Sequence, residues 1–591
     1  MCGIAGLIHR DGAAGVGQEM TKMLQALKHR GPDSTGFAVY GVSSPDEYVL
    51  RFKVAEQEEL ASGFKIHDEI KRRRATVDER LKSLDVRVLE AREATEYAFR
   101  YRIAYSGDMK SLADHVEDVE GAEILSIGNA LELIKDLGDA SVVSGQYDLG
   151  GFQGTHGIGH TRMATESDVD IRSAHPYWAY PYNDIAVVHN GQITNYWLMR
   201  RQLERQGQRF VSNCDSELLA VYTASNLERG ASLEDSMKQS IQEIDGVFTY
   251  LVATRNELGM AKDTMAAKPM VLYESDNLVA LASEEVAIRR IVPHEIDTWD
   301  PYDEAGRSGM AGVSKKATAS HEMGMHTEQL SGRSQQTFFD LDEEGGFTYP
   351  DAFDVDFNKR TEIDASNMGA KEVNLRLREL MSEGYGTIVI KNPGAKHSIA
   401  VGILNRLNLI IEGSLGYFGC GLLDGPNVRI SGRVGWSCAE NMMAGTLVIE
   451  KNAGSTFGAA IRGGDLVCKG SVGSRTGIDM KGGTILVGGD TGAFSGFMMQ
   501  RGRMVVCGNA GKNLGDSMYD GTIFVGGTIK SLGVDAVPGE LTDLDRAWLK
   551  RKLTMYDMMP AKGVDHFTKI VAGKQLWNYD NLEPTEKKMI L

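Results

Sequence analysis

Glycine recurs every 19 residues toward the end of the chain, at Gly445, Gly464, Gly483, Gly502 and Gly521. No other feature of the sequence restricts the fold so tightly. Two residues after each of these glycines comes Leu447, Leu466, Ile485, Met504 or Ile523. Four residues after comes Ile449, Cys468, Val487, Val506 or Val525. Apolar residues at these two offsets alternate as strand residues do, all toward one side. A second glycine column keeps the same period (Gly435, Gly454, Gly473, Gly492, Gly511), and so does an apolar one (Met442, Ile461, Met480, Met499, Met518). A further copy without the first glycine starts at Pro426, with Val428 and Ile430. Short strands punctuated at a fixed period stack into a solenoid, each coil burying its inward side chains against the next. A parallel β-helix satisfies all of these columns at once, and a series of unrelated hairpins does not. The glycines are expected at corners, where a Cβ would clash or φ must be positive. The ends of such a stack need covering. Residues 542–559 can form a covering helix, with Thr542 as N-cap and Leu549, Leu553 and Tyr556 at i, i+4 and i+7.

The remaining composition excludes several classes. The net charge is −17, from 64 Lys+Arg against 81 Asp+Glu. That argues against nucleic acid or an anionic membrane as the main partner. The basic run Lys71–Arg74 sits among charges of both signs and reads as a solvated helix face. No apolar stretch reaches the roughly 18 residues of a membrane span. The N-terminal apolar run stops at Ile8, with Asp11 close behind, so no signal peptide is expected. The six cysteines (2, 214, 420, 438, 468, 507) form no C-x-x-C pair. No metal site is therefore expected, and a reducing cytoplasm is the expected location.

Three zones follow one another. Residues 1 to about 300 mix strand and helix patterns; about 301–350 are polar, aperiodic and read as a linker; the glycine repeats follow. In the linker, His321, Glu322 and His326 miss the zinc-protease spacing by one residue. Within the first zone, residues 45–150 look like an inserted α/β module. Val77, Leu81, Leu84 and Val88 recur at helical spacing, and Tyr97 to Tyr105 alternates as a strand. Ile124–Ile127 reads as a strand leading into a helix near Ala130–Leu137.

The chemistry-bearing residues lie in the first zone. Trimming of Met1 would leave Cys2 with a free α-amine beside its thiol. An ordinary α-amine titrates near about 8 and can accept a proton at neutral pH. Taken alone, Cys2 could equally be an incidental second residue. It is followed by His29-Arg30-Gly31-Pro32-Asp33-Ser34, by Gly159-His160-Thr161-Arg162-Met163-Ala164-Thr165, by His189-Asn190-Gly191-Gln192-Ile193 and by Asp215-Ser216-Glu217. In content and order this set resembles the class II glutamine amidotransferase family over residues 2–290. The resemblance implies an N-terminal-nucleophile αββα sandwich that hydrolyses glutamine with Cys2. The residue types suit the substrate. Arg162 can hold the glutamine carboxylate in a bidentate fork, with Thr165 adding a hydroxyl. Asp215 can pair with the glutamine ammonium. The Asn190 side chain and the Gly191 N–H can stabilise the oxyanion. The resemblance assigns the same roles, and it implies that Arg30 and Asp33 shape the site; a structural turn is the other reading of that pair. His160, His175 and His189 are expected to be structural or substrate-lining, since the α-amine supplies the base. The insertion departs from the compact members of the family.

Residues 355–530, starting with Ile363-Asp364-Ala365, resemble the C-terminal GXGXG β-helix of the glutamate synthase large subunit, a scaffold with no chemistry of its own. The expected fold class is therefore α+β. A sandwich over 2–300 carries the insertion; a linker over 301–350, the β-helix over 351–535 and a helical tail over 536–591 follow. A glutamate synthase carries a flavin-binding (β/α)8 barrel between the two homologous parts. Such a barrel takes about 250 residues, and about fifty intervene here. The resemblance thus implies the amidotransferase subunit of a split glutamate-synthase-like hetero-oligomer. No cofactor is expected in this chain; FMN and an iron–sulfur cluster are expected on partner subunits, one of them a flavin-containing synthase that takes the ammonia. An N-methylglutamate synthase subunit, a non-catalytic assembly subunit and a free-standing glutaminase are the other readings.

Overall fold

The computed structural model describes residues 2–42, 47–56, 59, 65–163, 171–263, 268–301, 309–310 and 353–573. The chain divides into two compact units, Met1–Lys315 and Lys316–Leu591. Of the stretch expected to be a linker, His321, Glu322 and His326 lie outside the described residues.

The first unit is built on two antiparallel sheets. Seven strands run in the order Thr298–Trp299, Val271–Glu274, Leu278–Ala282, Gly3–His9, His156–Arg162, Ser34–Tyr40, Leu131–Leu137. Five more run Gly309–Met310, Leu258–Lys262, Gly246–Ala253, Ala186–Ile193, Tyr177–Trp178. The central strands Gly3–His9 and His156–Arg162 pack face to face on Ala186–Ile193 and Gly246–Ala253. Helix Val16–Ala26 covers the far side of the first sheet, and helices Asp215–Glu228 and Leu233–Glu243 cover the far side of the second. Helix, sheet, sheet, helix is the αββα order. The central strands are buried on both faces, so they carry small residues. A Cβ on Gly159 would meet Leu24 Cδ1 at 2.5 Å, which shows how closely the helix lies on the sheet.

The insertion forms its own four-stranded sheet, ordered Arg87–Glu93, Ala98–Ala104, Glu47–Lys53, Glu123–Gly128, with helices Lys65–Ser83 and Met109–Glu117. Two local expectations fail. The first helix stops at Ser83, so Val88 lies on a strand. Leu131–Leu137 is a strand of the main sheet, paired with Ser34–Tyr40, where a helix was expected. Its alternation is hidden because its polar residues are buried in pairs. Glu132 accepts from Arg51 (2.6 Å) and Arg100 (2.7 Å), and Asp136 from Tyr97 (2.5 Å) and Tyr147 (2.9 Å).

The second unit is a parallel β-helix. Nine parallel strands stack from Asp356–Asp364 to Thr522–Val525, and the register aligns Leu447, Leu466, Ile485, Met504 and Ile523. These residues, their partners two positions on and the methionine column fill one core. The stack begins before Pro426, because Leu409 and Ile411 occupy the same register one coil earlier. The two glycine columns do different jobs. Gly464 has φ +84°, a turn that other residues resist. Gly473 lets coils touch, since a Cβ there would sit 2.5 Å from the Ser455 nitrogen.

Helix Asp543–Met555 does not cover an end of the stack. Its Leu549 and Leu553, with Tyr556, pack on Val448, Val467, Leu486, Val505 and Phe524. That column sits between the two inward ones, on the outer face of the sheet, and it is apolar, so the flank needed a lid. The end is closed by strand Thr568–Ala572, which pairs antiparallel with Thr522–Val525 and is itself paired with Ala536–Gly539. The tail is thus strand, helix and strand. Among the described residues no helix is long and apolar enough to cross a membrane.

Gly473→Ala is expected to destabilise the chain by about 1–3 kcal/mol through over-packing between coils. Gly421→Ala, whose new methyl would find its nearest neighbour at 3.4 Å, is expected to be close to neutral. Urea unfolding followed by circular dichroism compares the two, and equal midpoints would contradict the coil-contact account.

Candidate active site

Strand register brings the sequence motifs together. Gly3 pairs with Thr161, which places Cys2 at the level of Arg162, and Ser34 pairs with Arg162 from the other side. The Asp33 N–H donates to the Arg162 carbonyl at 3.1 Å. Gly31 is required for this approach, because a Cβ there would lie 2.4 Å from the Arg162 carbonyl carbon. Ser283 fixes the start of the first strand: its hydroxyl accepts from the Ile4 N–H at 3.0 Å, and its own N–H donates to the Ile4 carbonyl at 2.9 Å.

Cys2 is half-buried, its sulfur 3.9 Å from the Met163 carbonyl oxygen. Its own carbonyl oxygen accepts two hydrogen bonds, from Arg30 Nε at 3.0 Å and from Asn190 Nδ2 at 3.1 Å. Arg30 comes from the short turn after the first helix and Asn190 from the facing sheet, so both layers grip the same residue. Arg30 is buried and pairs through Nη1 with the buried Glu284 at 2.6 Å; Glu284 also accepts from His29 at 2.9 Å. Gly191 follows Asn190 with its Cα against the neighbouring strand: a Cβ would sit 2.1 Å from the Val247 carbonyl oxygen. Asp215 is the first residue of its helix, where the dipole favours an anion. Its carboxylate accepts from the Ile193 N–H at 2.9 Å and from the Ser216 hydroxyl at 3.2 Å. Asp215 is thereby tied to the strand that carries Asn190 and Gly191. Thr165 lies outside the described residues.

Behind these residues lie three buried histidines. His160 Nε2 is 3.2 Å from the His189 carbonyl oxygen, its ring stacks on His175 with centroids 4.0 Å apart, and His189 Nδ1 is 2.8 Å from the Ser216 hydroxyl. Burial, helped by the neighbouring His189 and Arg162, lowers His160 to about 3. Burial likewise lowers His175 and His189. His160 is therefore neutral at neutral pH and poorly placed on the acidity scale to act as a general base, and burial favours the neutral form of His175 and His189 as well.

Three residues emerge that the motifs did not single out for a role. Glu284 anchors Arg30, Ser216 links Asp215 to His189, and Glu217 receives the N–H groups of Val211 and Ser212, both at 2.7 Å. A signal existed for the last two, as polar residues directly after Asp215 at a helix start. Glu284 had only its place after a buried strand.

Two facing sheets between helical layers, with a cysteine at the head of a central strand, make the layered architecture of the N-terminal-nucleophile fold class. Residues 160–290 match the glutamine amidotransferase domain family. The chain is 40% identical over 295 residues to the "Putative glutamine amidotransferase" of Methanothermobacter thermautotrophicus, which spans 49% of this chain and 94% of that protein. It is 31% identical over 304 residues to the glutamine amidotransferase-like protein GlxB of Rhizobium meliloti, spanning 51% of this chain and 95% of that one. A solved structure of the allosteric regulatory enzyme of purine biosynthesis overlaps 51% of this chain and 44% of its own at 18% identity, with a TM-score of 0.32. This chain belongs to the glutamine amidotransferase family.

The buried histidines set a pH dependence. His156 is lowered by burial to about 4, alongside His160, His175 and His189. Unfolding returns each to about 6.5. Below that pH the unfolded chain binds more protons, so this stability is complete above about 6.5 and is lost as pH falls. Glu117 and Glu217, raised by burial, act in the opposite direction but are two groups against four. The urea midpoint is expected to fall between pH 7 and pH 5; a flat or rising midpoint would show that these imidazoles protonate in place.

Proposed function

We propose that this chain hydrolyses glutamine to glutamate and ammonia through a thioester on Cys2. The observation that carries the reading is the double grip of Arg30 and Asn190 on the Cys2 carbonyl, which fixes the residue where strand register sets it level with Arg162. Met1 removal frees the Cys2 α-amine, which takes the thiol proton. The thiolate attacks the side-chain amide carbon of glutamine. Asn190 has a second Nδ2–H beyond the one given to Cys2, and this and the Gly191 N–H stabilise the oxyanion. The protonated amine returns its proton to the leaving nitrogen, and ammonia departs. Water then cleaves the thioester by the same route. The neutral histidines support the amine as the base. Arg162 and Thr165 hold the glutamine carboxylate, Asp215 its ammonium, and Arg30 with Asp33 shapes the site around Cys2.

The ammonia passes to a separate flavin-containing synthase subunit of a glutamate-synthase-like complex, with the β-helix as scaffold. FMN and an iron–sulfur cluster belong to the partners. What supports this part is the parallel β-helix itself, together with the short interval before it. Co-purification from the native host with a flavin spectrum tests it; a chain that purifies alone with full synthase activity would refute it.

Cys2→Ala is expected to lower glutamine hydrolysis by about a thousandfold or more without lowering thermal stability. A variant that kept a tenth of the activity would end the Cys2 reading.

A further inference from the structure

We propose that helix Met109–Glu117 of the insertion acts through Arg209 as a positioning device for Asp215. The inference rests on the reading of Asp215 as the site of the glutamine ammonium. Arg209 lies in the stretch between helices Tyr196–Arg205 and Asp215–Glu228. Its guanidinium donates through Nη1 to Asp114 and to the Tyr180 hydroxyl (3.3 Å), and through Nη2 to Glu117 (3.2 Å). It also rests over the Tyr180 ring, 5.0 Å from the centroid. Tyr180 is buried and its hydroxyl donates to Asp114. One planar cation is thus held by two carboxylates and a ring, a geometry that a lysine cannot reproduce.

From Arg209 to Asp215 the backbone has little freedom. The N–H groups of Val211 and Ser212 donate to the Glu217 carboxylate, the Ser212 hydroxyl donates to the same carboxylate at 2.5 Å, and the Cys214 N–H donates to the Ser212 hydroxyl at 3.1 Å. The segment is a bracket with Asp215 at its inner end and the insertion at its outer end. A half-exposed ion pair adds little stability. Asp114 and Arg209 are 43% and 46% exposed, so stability is a poor explanation for the arrangement. Glu117 is different, at 11% exposed. It is faced by Arg209, by Asp114 on its own helix, by Tyr180, by Glu123 on the adjoining strand and by Arg172; its carboxylate also accepts from the Ile124 N–H. Burial pushes it up to about 7, against the pull of Arg209. The ionised carboxylate adds its charge to the hold on Arg209; once protonated it leaves Arg209 to Asp114 and the Tyr180 ring.

The test measures glutamine hydrolysis by the full chain. Arg209→Met is expected to raise the glutamine KM about tenfold with kcat within about twofold, the mark of lost ground-state binding. Arg209→Lys should not rescue it. The isosteric double variant Asp114→Asn, Glu117→Gln serves if Arg209→Met fails to fold, and should show the same split. The KM ratio of Glu117→Gln to the parent should be large near pH 8 and approach one near pH 6, which a merely structural role would not produce. If KM is unchanged in Arg209→Met and in the double variant while Asp215→Asn raises it, the inference is overturned. If Asp215→Asn also leaves KM unchanged, the reading of Asp215 beneath it falls.

Discussion

The carbonyl oxygen of Cys2 is where the first unit comes together. It accepts from Arg30, which follows the helix on the outer layer, and from Asn190, which sits on the opposite sheet. Neither donor could reach it unless both sheets were in register and face to face. Arg30 in turn needs Glu284, because a buried guanidinium without a counter-charge is costly. One acceptor atom therefore couples the first strand, the first helix, the facing sheet and the strand that ends at Ala282. The glycines around it have a shared cause: backbones here approach more closely than any Cβ allows.

The β-helix depends on a different constraint, repetition. Each coil bonds to the next through its backbone, so each side chain must fit against the residues at the same position on the coils before and after it. The same rule explains the apolar column on the outer face. Once Val448, Val467, Leu486, Val505 and Phe524 had lined up, the sheet had two apolar faces, and the C-terminal helix became a lid along its flank.

Burial of polar groups unites the remaining features. Histidines kept neutral behind the site, the Arg51–Glu132–Arg100 cluster between the insertion sheet and the main sheet, and Glu117 of the Arg209 bracket all place charge or potential charge where water is scarce. In such places a group either finds a partner or changes its protonation state. The neutral imidazoles leave the α-amine as the base in the proposed chemistry, and the Arg209 bracket gives the insertion a role at a distance.

The sequence by itself determined the 19-residue period, the inward alternation and the order of the motifs, because each depends on local spacing. Cys2, Arg162, Asn190 and Asp215 were visible as residue types that suit a zwitterionic amide. The tertiary structure alone decided that Leu131–Leu137 is a strand, since its buried ion pairs obscured the period. It alone revealed that Glu284 anchors Arg30 and that the C-terminal helix lies on a flank. Those facts depend on partners 32 to 254 positions apart in the chain. No local pattern encodes such pairings; they arise only when strand register brings the partners within hydrogen-bonding distance.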